Sequence, residues 1–380
     1  QAYIPNAGLN NTYLGDLNAS AYWDHPTNSI IIEGQAIDST DHLVADVNGK
    51  VIPDKKWWGL DIKCDSIDIG LIDFWTHDFF ANPQGRAYGD LQIFGQDHLT
   101  WVTTKLYGKN VQLMVPQIGA TFQFSDSIFM DSTSIRIPRL DIFDTEGNKG
   151  TFEGIISHSN FQDFQYNLSA NVNNMLVLNL PEDPQSLFYG KVYGTGNLSI
   201  TGDEYNCKIA VDARTENYSK FYLSVNTAST ANTSSFIHFT APDTTNQLLR
   251  LLNSPTMREA STITPSARLL LSLQIEVTPT TEIQINMGGD DGIRGRGEGN
   301  IQISYDDSSE EIQMLGSYIV TSTTTCALTV GDIAIKEATY PSSSLPERGS
   351  EVPVFPPITV TFDPNQQSSP ITIGLAYSKS

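Results

Sequence analysis

The sequence is poor in the features that mark disulfide-stapled domains, zinc proteins and membrane helices. Its three cysteines, Cys64, Cys207 and Cys326, lie far apart and form no CxxC pair, so neither a disulfide framework nor a zinc site is predicted. Cys64 and Cys207 take apolar positions in alternating runs, which predicts buried free thiols. No run approaches the ~18 apolar residues that a membrane-spanning helix needs.

Positive charge is also scarce. The 380 residues include 22 basic and 43 acidic side chains, which gives a formal net charge of −21. A negative field of this size repels phosphates and so disfavours nucleic acid as a partner. Charged residues make up only 17% of the chain. Together with abundant Ser, Thr, Asn and Gly, this is typical of β-sheet punctuated by turns, as in secreted and envelope proteins.

Motifs for catalysis and metal binding are missing. None of the six histidines lies in an HxxH or HExxH pattern, and there is no GxSxG elbow. The glycine-rich residues 288–299 lack the helix and the Lys-Ser/Thr of a P-loop. We therefore expect no catalytic residue, no metal and no organic cofactor. A pair of catalytic carboxylates stays open as an alternative, because nothing singles out two of the 43 acids.

Alternation of apolar and polar residues is the strongest positive signal, since every second side chain of a strand faces the same side. The longest alternating run precedes Pro279, and the same pattern resumes after it. We predict one apolar face, a candidate lipid groove, formed by Leu269, Leu271, Leu273, Ile275, Val277, Ile283, Ile285, Met287, Ile301, Ile303, Phe221, Leu223 and Val225.

Successive short runs separated by turn signals, such as Asn48-Gly49, predict an all-β protein with an antiparallel sheet. Helix is predicted only at residues 71–80 and 245–252. About 30 strands of about 10 residues, spaced about 4.8 Å, would form a sheet on the order of 140 Å long.

A weak repeat supports an elongated, repetitive fold. A Gly-x-apolar-x-apolar pattern starts at Gly89, Gly196 and Gly299, at intervals of 107 and 103 residues. Glycines at such places indicate bulges or tight bends where a sheet changes direction.

Several longer segments, taken in order, carry a resemblance to a known family. They are IGLIDFWTHDFF (69–80), FQFSDSIFM (122–130), GNKGTFEGIISHSNFQDFQYNL (147–168), NMLVLNLPEDPQSLFYGKVYGTGNLSITG (174–202), LQIEVTPTTEIQINMGGDDGIRGRGEGNIQISYD (273–306) and MLGSYIV (314–320). From about residue 61 to residue 322 the chain resembles the TamB family of bacterial envelope proteins, in its Bacteroidetes-type form. We take residues 1–322 as the TamB-like region and residues 323–380 as a divergent, Ser/Pro-rich tail with two short strands, which the family pattern does not explain.

The resemblance implies a long U-shaped antiparallel sheet, called a β-taco, with an apolar concave face and a polar convex face. It implies a periplasm-spanning protein with an inner-membrane anchor upstream, which fits a chain that starts at Gln1 without a signal peptide. The implied partners are phospholipid acyl chains and an Omp85-type (TamA-like) outer-membrane barrel. The implied role is phospholipid transport linked to outer-membrane protein assembly and secretion, as in AsmA-like and bridge-like lipid-transfer proteins, without catalytic residues.

Two other interpretations stay open. On alternation alone, the apolar residues could form the core of one or two closed β-sandwiches. The acidic charge and the Asn/Thr richness also fit a surface or extracellular β-rich adhesin or binding module. The sandwich predicts buried apolar positions, and the adhesin predicts aromatic clusters on loops.

Overall fold

A computed structural model describes most of the chain. The described residues are 1–9, 12–76, 79–183, 186, 188–224, 268–288, 291–306, 308, 311–330, 333–335, 358–362 and 371–375. The predicted helix at residues 245–252 lies outside them. At the other predicted helix, the structure has a 3₁₀ turn (Ile69–Ile72) followed by the four-residue helix α1 (Asp73–Thr76). A second 3₁₀ turn is Pro53–Lys55.

Strands make up nearly all of the remaining described structure. They are β1 (Ala2–Leu9), β2 (Thr12–Asp24), β3 (Ser29–Ile37), β4 (Leu43–Ile52), β5 (Trp57–Asp68), β6 (Ala81–Gln96), β7 (Leu99–Val115), β8 (Ala120–Met130), β9 (Ser134–Phe143), β10 (Lys149–Ser159), β11 (Gln162–Leu180), β12 (Phe188–Asp203), β13 (Asn206–Thr215), β14 (Lys220–Ser224), β15 (Arg268–Val277), β16 (Glu282–Gly288), β17 (Asp291–Asp306), β18 (Glu311–Val330), β19 (Ile333–Ile335), β20 (Ile358–Phe362) and β21 (Ile371–Leu375).

These 21 strands belong to one hydrogen-bonded sheet. Strands β1 to β12 pair in chain order, each antiparallel to the next. Strands β13 and β14 follow end to end beside β12, and β15 and β16 follow end to end beside them. Strand β17 pairs with both β15 and β16, and β18, β20 and β21 complete the order. The all-β prediction is confirmed.

Two details of that prediction are wrong. The pairs β13–β15 and β14–β16 are parallel rather than antiparallel. Residues 225–267, which connect β14 to β15, lie outside the described part. The sheet is also shorter than expected. The strands of the described residues occupy about 18 successive positions, which at about 4.8 Å each gives about 80 Å. Individual strands are correspondingly longer, up to 20 residues in β18.

The two faces of the sheet differ in polarity from one end to the other. Residues directly opposite each other on paired strands face the same side. One such row connects Ile4, Leu17, Ala36, Ala45 and Cys64 across β1 to β5. Another connects Ala170, Leu198, Val211, Leu273 and Ile303 across β11 to β17. We call this apolar side the inner face.

A line of bulges, which we call the crease, crosses the sheet and bends its long strands. The register shifts at Ser66 in β5, at Asn110 in β7 and at Asn174 in β11, and each of these residues has a positive φ. The interruptions between β13 and β14 and between β15 and β16 continue the same line. Bulged strands bend, so each long strand contributes to two arms.

The bend closes toward the inner face. Leu140 and Phe152 lie on one side of the crease and Met175 on the other, and all three belong to one packed cluster. At this cluster the sheet therefore folds toward its inner face, which is the direction that the predicted U requires. Among the described residues every strand belongs to this single sheet, and no second sheet is stacked on it as a sandwich would require.

The repeat corresponds to real structural equivalence. Gly89, Gly196 and Gly299 each occupy the ninth position of a 16-residue strand, in β6, β12 and β17. A Cβ at any of them would collide with a backbone carbonyl oxygen of the next strand. The glycines therefore permit close strand approach in mid-strand, near the crease.

Candidate functional site

The predicted groove residues lie side by side on the inner face. Leu271 and Leu273 of β15 are opposite Ile209 and Val211 of β13. On the other side, Leu273 is opposite Ile303 of β17, and Ile275 and Ile301 form the next pair. Phe221 of β14 is opposite Ile283 of β16, so both continue the surface beyond the crease.

Exposure divides the predicted residues into two groups. Leu269, Val277, Ile283 and Ile301 are buried. The other group is partly exposed and consists of Leu271, Leu273, Ile275, Ile303, Phe221 and Leu223. Val225 lies outside the described residues, as do the side chains of Ile285 and Met287. In a closed core the middle of this run would be fully buried, whereas here Leu271, Leu273 and Ile275 are partly exposed.

The inner face is larger than the predicted set. Sequence analysis omitted its members on earlier strands and on β12 and β13, which are Leu60, Ile62, Leu91, Ile93, Leu106, Ile128, Leu168, Leu198, Ile200, Ile209 and Val211. All of them are partly exposed. Several of these residues lie in shorter alternating runs of the sequence, which predict strands. A short run does not show that its apolar side chains share a face with those of another strand.

The outer face is polar and forms hydrogen-bonded rows. Asn171 Nδ2 donates to Asn197 Oδ1 at 2.7 Å, and these residues continue to Asp212 and Gln274 on the next strands. Ser169, Ser199 and Ser272 belong to the neighbouring row. This alternation lets one sheet present water-compatible groups outside and apolar groups inside.

Buried polar groups hold the crease in place. Thr215 Oγ1 lies 2.6 Å from Thr281 Oγ1, and Ser219 Oγ accepts the backbone N–H of Tyr193 at 3.0 Å. Tyr318, only 1% exposed, donates its hydroxyl to the carbonyl of Gly295 at 3.1 Å. These bonds satisfy groups where the strand ladder is interrupted, which makes the bend a defined feature of the fold.

Asp144 is a second anchor, in the β9–β10 turn. Its carboxylate is 2% exposed and accepts the backbone N–H groups of Glu146, Asn148 and Leu176 at 2.8–2.9 Å. Burial opposes ionisation, but these bonds and one from the Asn148 side chain outweigh it and hold the pKa of Asp144 below its usual value. The turn is thereby fixed to β11 beside the bulge.

The thiols of the inner face are unreactive. Cys64 and Cys207 are buried and free, as predicted. Burial raises the pKa of Cys64 to about 11 and also raises that of Cys207, with smaller contributions from Asp90 and Asp203. Both thiols therefore stay protonated at neutral pH and act as small apolar groups. In the described part of the chain, no three His, Cys, Asp or Glu side chains cluster as a metal site would require.

Comparison with known proteins identifies the family. A model of the TamB C-terminal domain matches residues 139–339, which is more than half of the chain. The chain belongs to the TamB family. All thirteen predicted groove residues lie within the matched range. No curated protein and no solved structure matches the chain.

Membership assigns this TamB chain to the bacterial cell envelope. No helix among the described residues is long and apolar enough to cross a membrane. The matched range begins within β9 and ends beyond β19, so it contains most of the crease. Residue 322, the predicted end of the TamB-like region, lies within the matched range, and the division there stays a prediction.

Proposed function

We propose that this TamB chain provides an apolar groove along which phospholipids cross the periplasm to the outer membrane, in support of outer-membrane protein assembly and protein secretion. The observation that carries the proposal is the inner face. It is apolar from β1 to β21, and its central side chains, such as Leu198, Val211 and Leu273, are only partly covered by protein.

Acyl chains fit this surface on physical grounds. Each CH₂ group transferred from water to an apolar surface contributes about 0.8 kcal/mol, so a long tail gains many times the thermal energy in the groove. The headgroup stays in water at the open side of the U. A protein carrying −21 formal charges attracts no polyanion, so lipid is bound through its tails rather than through phosphate.

Two further parts of the proposal rest on the family resemblance. We propose that an inner-membrane anchor precedes this region in the full-length protein, and that an Omp85-type (TamA-like) barrel receives the outer end. No enzymatic step is proposed, because transfer along an apolar path makes and breaks no covalent bond.

The test measures bound lipid. The protein is purified without detergent, and extracted phospholipid is quantified by mass spectrometry for the parent, Leu273→Glu and Gln274→Glu. We expect lipid with the parent and with Gln274→Glu, whose side chain is on the outer face, and strongly reduced lipid with Leu273→Glu. Phospholipid no higher than in a β-sandwich control protein would contradict the proposal.

A further inference from the structure

The inner face is not equally open along its length. On β5 to β7 its residues, including Leu60, Leu91 and Leu106, are partly exposed, and on β12 to β17 the same is true of Leu198 and Leu273. Between these regions, β9 and β11 contribute three buried side chains to the inner face. There Met175 is 0%, Leu140 2% and Ile142 8% exposed.

This buried cluster joins the two arms of the U. Leu140, Ile142 and Phe152 come from β9 and β10, and they pack with Met175 beyond the crease. Phe122 and Phe124, at the start of β8, pack on the same cluster. Val111, opposite Phe124 on β7, is 3% exposed. At this cluster, side chains from both sides of the crease cover one another.

Backbone geometry explains the closure. Strands β8 and β9 pair at Gln123–Phe143 and again from Phe129–Arg136, with an irregular stretch between. The turn before β8 instead reaches the end of β11, where the N–H of Asn179 donates to the carbonyl of Ile118 at 2.8 Å. A hairpin shorter than its neighbours, β9–β10, thus allows β8 to lie against β11 and narrows the groove.

Polar side chains bind the β9–β10 turn, next to the cluster, to the neighbouring strands. The buried carboxylate of Asp144 accepts the N–H of Leu176, the residue after Met175. Glu146 in the same turn accepts bonds from Lys191 Nζ at 2.8 Å and from the Tyr193 hydroxyl at 2.6 Å. The turn is therefore bound to both β11 and β12, next to the cluster.

We infer that the cluster of Leu140, Ile142, Met175, Phe122 and Phe124 is a constriction that divides the groove into two apolar compartments and limits the passage of acyl chains between them. The inference rests on the proposed function. Leu140, Ile142 and Met175 are already covered by their neighbours, so passage of an acyl chain requires the start of β8 to move away from β9–β11. The aromatic side chains, being largest, set the width.

The test reads lipid contact on both sides of the constriction and within it. The photo-cross-linking amino acid p-benzoylphenylalanine replaces Leu106, Phe152 or Leu198 one at a time, all on the inner face. The protein is irradiated with phosphatidylethanolamine–phosphatidylglycerol vesicles, and lipid adducts are counted by intact-protein mass spectrometry. We expect adducts at positions 106 and 198 and a several-fold lower yield at 152.

A second variant opens the constriction. Phe124→Ala should raise the yield at position 152 to that of the flanking positions. Phe129→Ala, on the same strand but under Lys105 on the outer face, should leave it unchanged. If Phe124→Ala does not fold, Phe124→Leu replaces it, with a smaller rise expected.

Three results would count against the constriction or its basis. Equal yields at all three positions in the parent overturn it, as does a folded Phe124 variant with unchanged yield at 152. Absence of adducts at positions 106 and 198 in every variant removes the proposed lipid function itself, and the inference with it.

Discussion

A charge placed at two depths of the inner face separates an open groove from a closed core. Leu273 is partly exposed between Val211 and Ile303, whereas Met175 is completely buried at the crease. A glutamate at position 273 can turn its carboxylate toward water and stay ionised. A glutamate at position 175 would be desolvated without a partner.

The two substitutions should therefore differ in cost. Leu273→Glu loses part of the ~1.5–3 kcal/mol that full burial of a leucine contributes, so we expect about 1–2 kcal/mol of destabilisation. Met175→Glu loses its packing and desolvates a charge, which should cost more than about 4 kcal/mol. Gln274→Glu, on the exposed outer face, should stay within about 0.5 kcal/mol of the parent.

Urea unfolding followed by far-UV circular dichroism measures these differences at neutral pH. The m-value should be unchanged in Leu273→Glu and Gln274→Glu, because the folded surface is the same. If Leu273→Glu costs as much as Met175→Glu, the middle of the inner face is a closed core and the groove assignment is wrong.

Three further predictions concern features that hold the sheet together. Gly299→Ala should destabilise the protein by about 2–4 kcal/mol in urea unfolding, because its Cβ collides with the Ser317 carbonyl, whereas Gly34→Ala meets no atom closer than 3.5 Å and should cost about 1 kcal/mol or less; equal costs would contradict this. Asp144 has a folded pKa below its unfolded value, so its contribution is present above the unfolded pKa and is lost as pH falls through the folded one. Asp144→Asn should therefore cost about 3 kcal/mol at pH 7 and less at acid pH, and a pH-independent cost in urea titrations would refute the assignment. Burial lowers the pKa of His158 below 6.5, although Asp131 opposes this, and its buried Nε2 has no hydrogen-bond partner in the described structure. Because the unfolded chain then binds a proton first, stability should fall as pH drops below about 6.5, and thermal melts of His158→Phe should show a smaller fall; an unchanged profile would contradict this.

Alternation in the sequence was sufficient to predict the all-β fold. It also predicted which residues of one strand share a face, because successive side chains of a strand point to opposite sides. The alternating run from Leu269 to Val277 forms a strand, β15, as predicted. Alternation within a strand does not show which strands pair with each other, so the parallel pairs β13–β15 and β14–β16 were not predicted.

Bends and buried polar anchors were harder to predict. Ser66, Asn110 and Asn174 mark the crease, yet Ser and Asn are common throughout this chain and carry no local sign of a bulge. The sheet length was overestimated because strands such as β11 continue through the crease instead of ending there. Asp144 belongs to a turn-like segment, DTEGN, and its burial depends on contact with Leu176 of β11, 32 residues away.

The central claim, that phospholipid tails lie on the inner face, is tested most directly along one strand. Single p-benzoylphenylalanine substitutions at Leu271, Ser272, Leu273 and Gln274 place the same probe alternately on the inner and outer faces of β15. After irradiation of the folded protein with phospholipid vesicles, the account predicts lipid adducts at positions 271 and 273 and few at 272 and 274. Equal yields at all four positions, or a higher yield on the outer face, would contradict it.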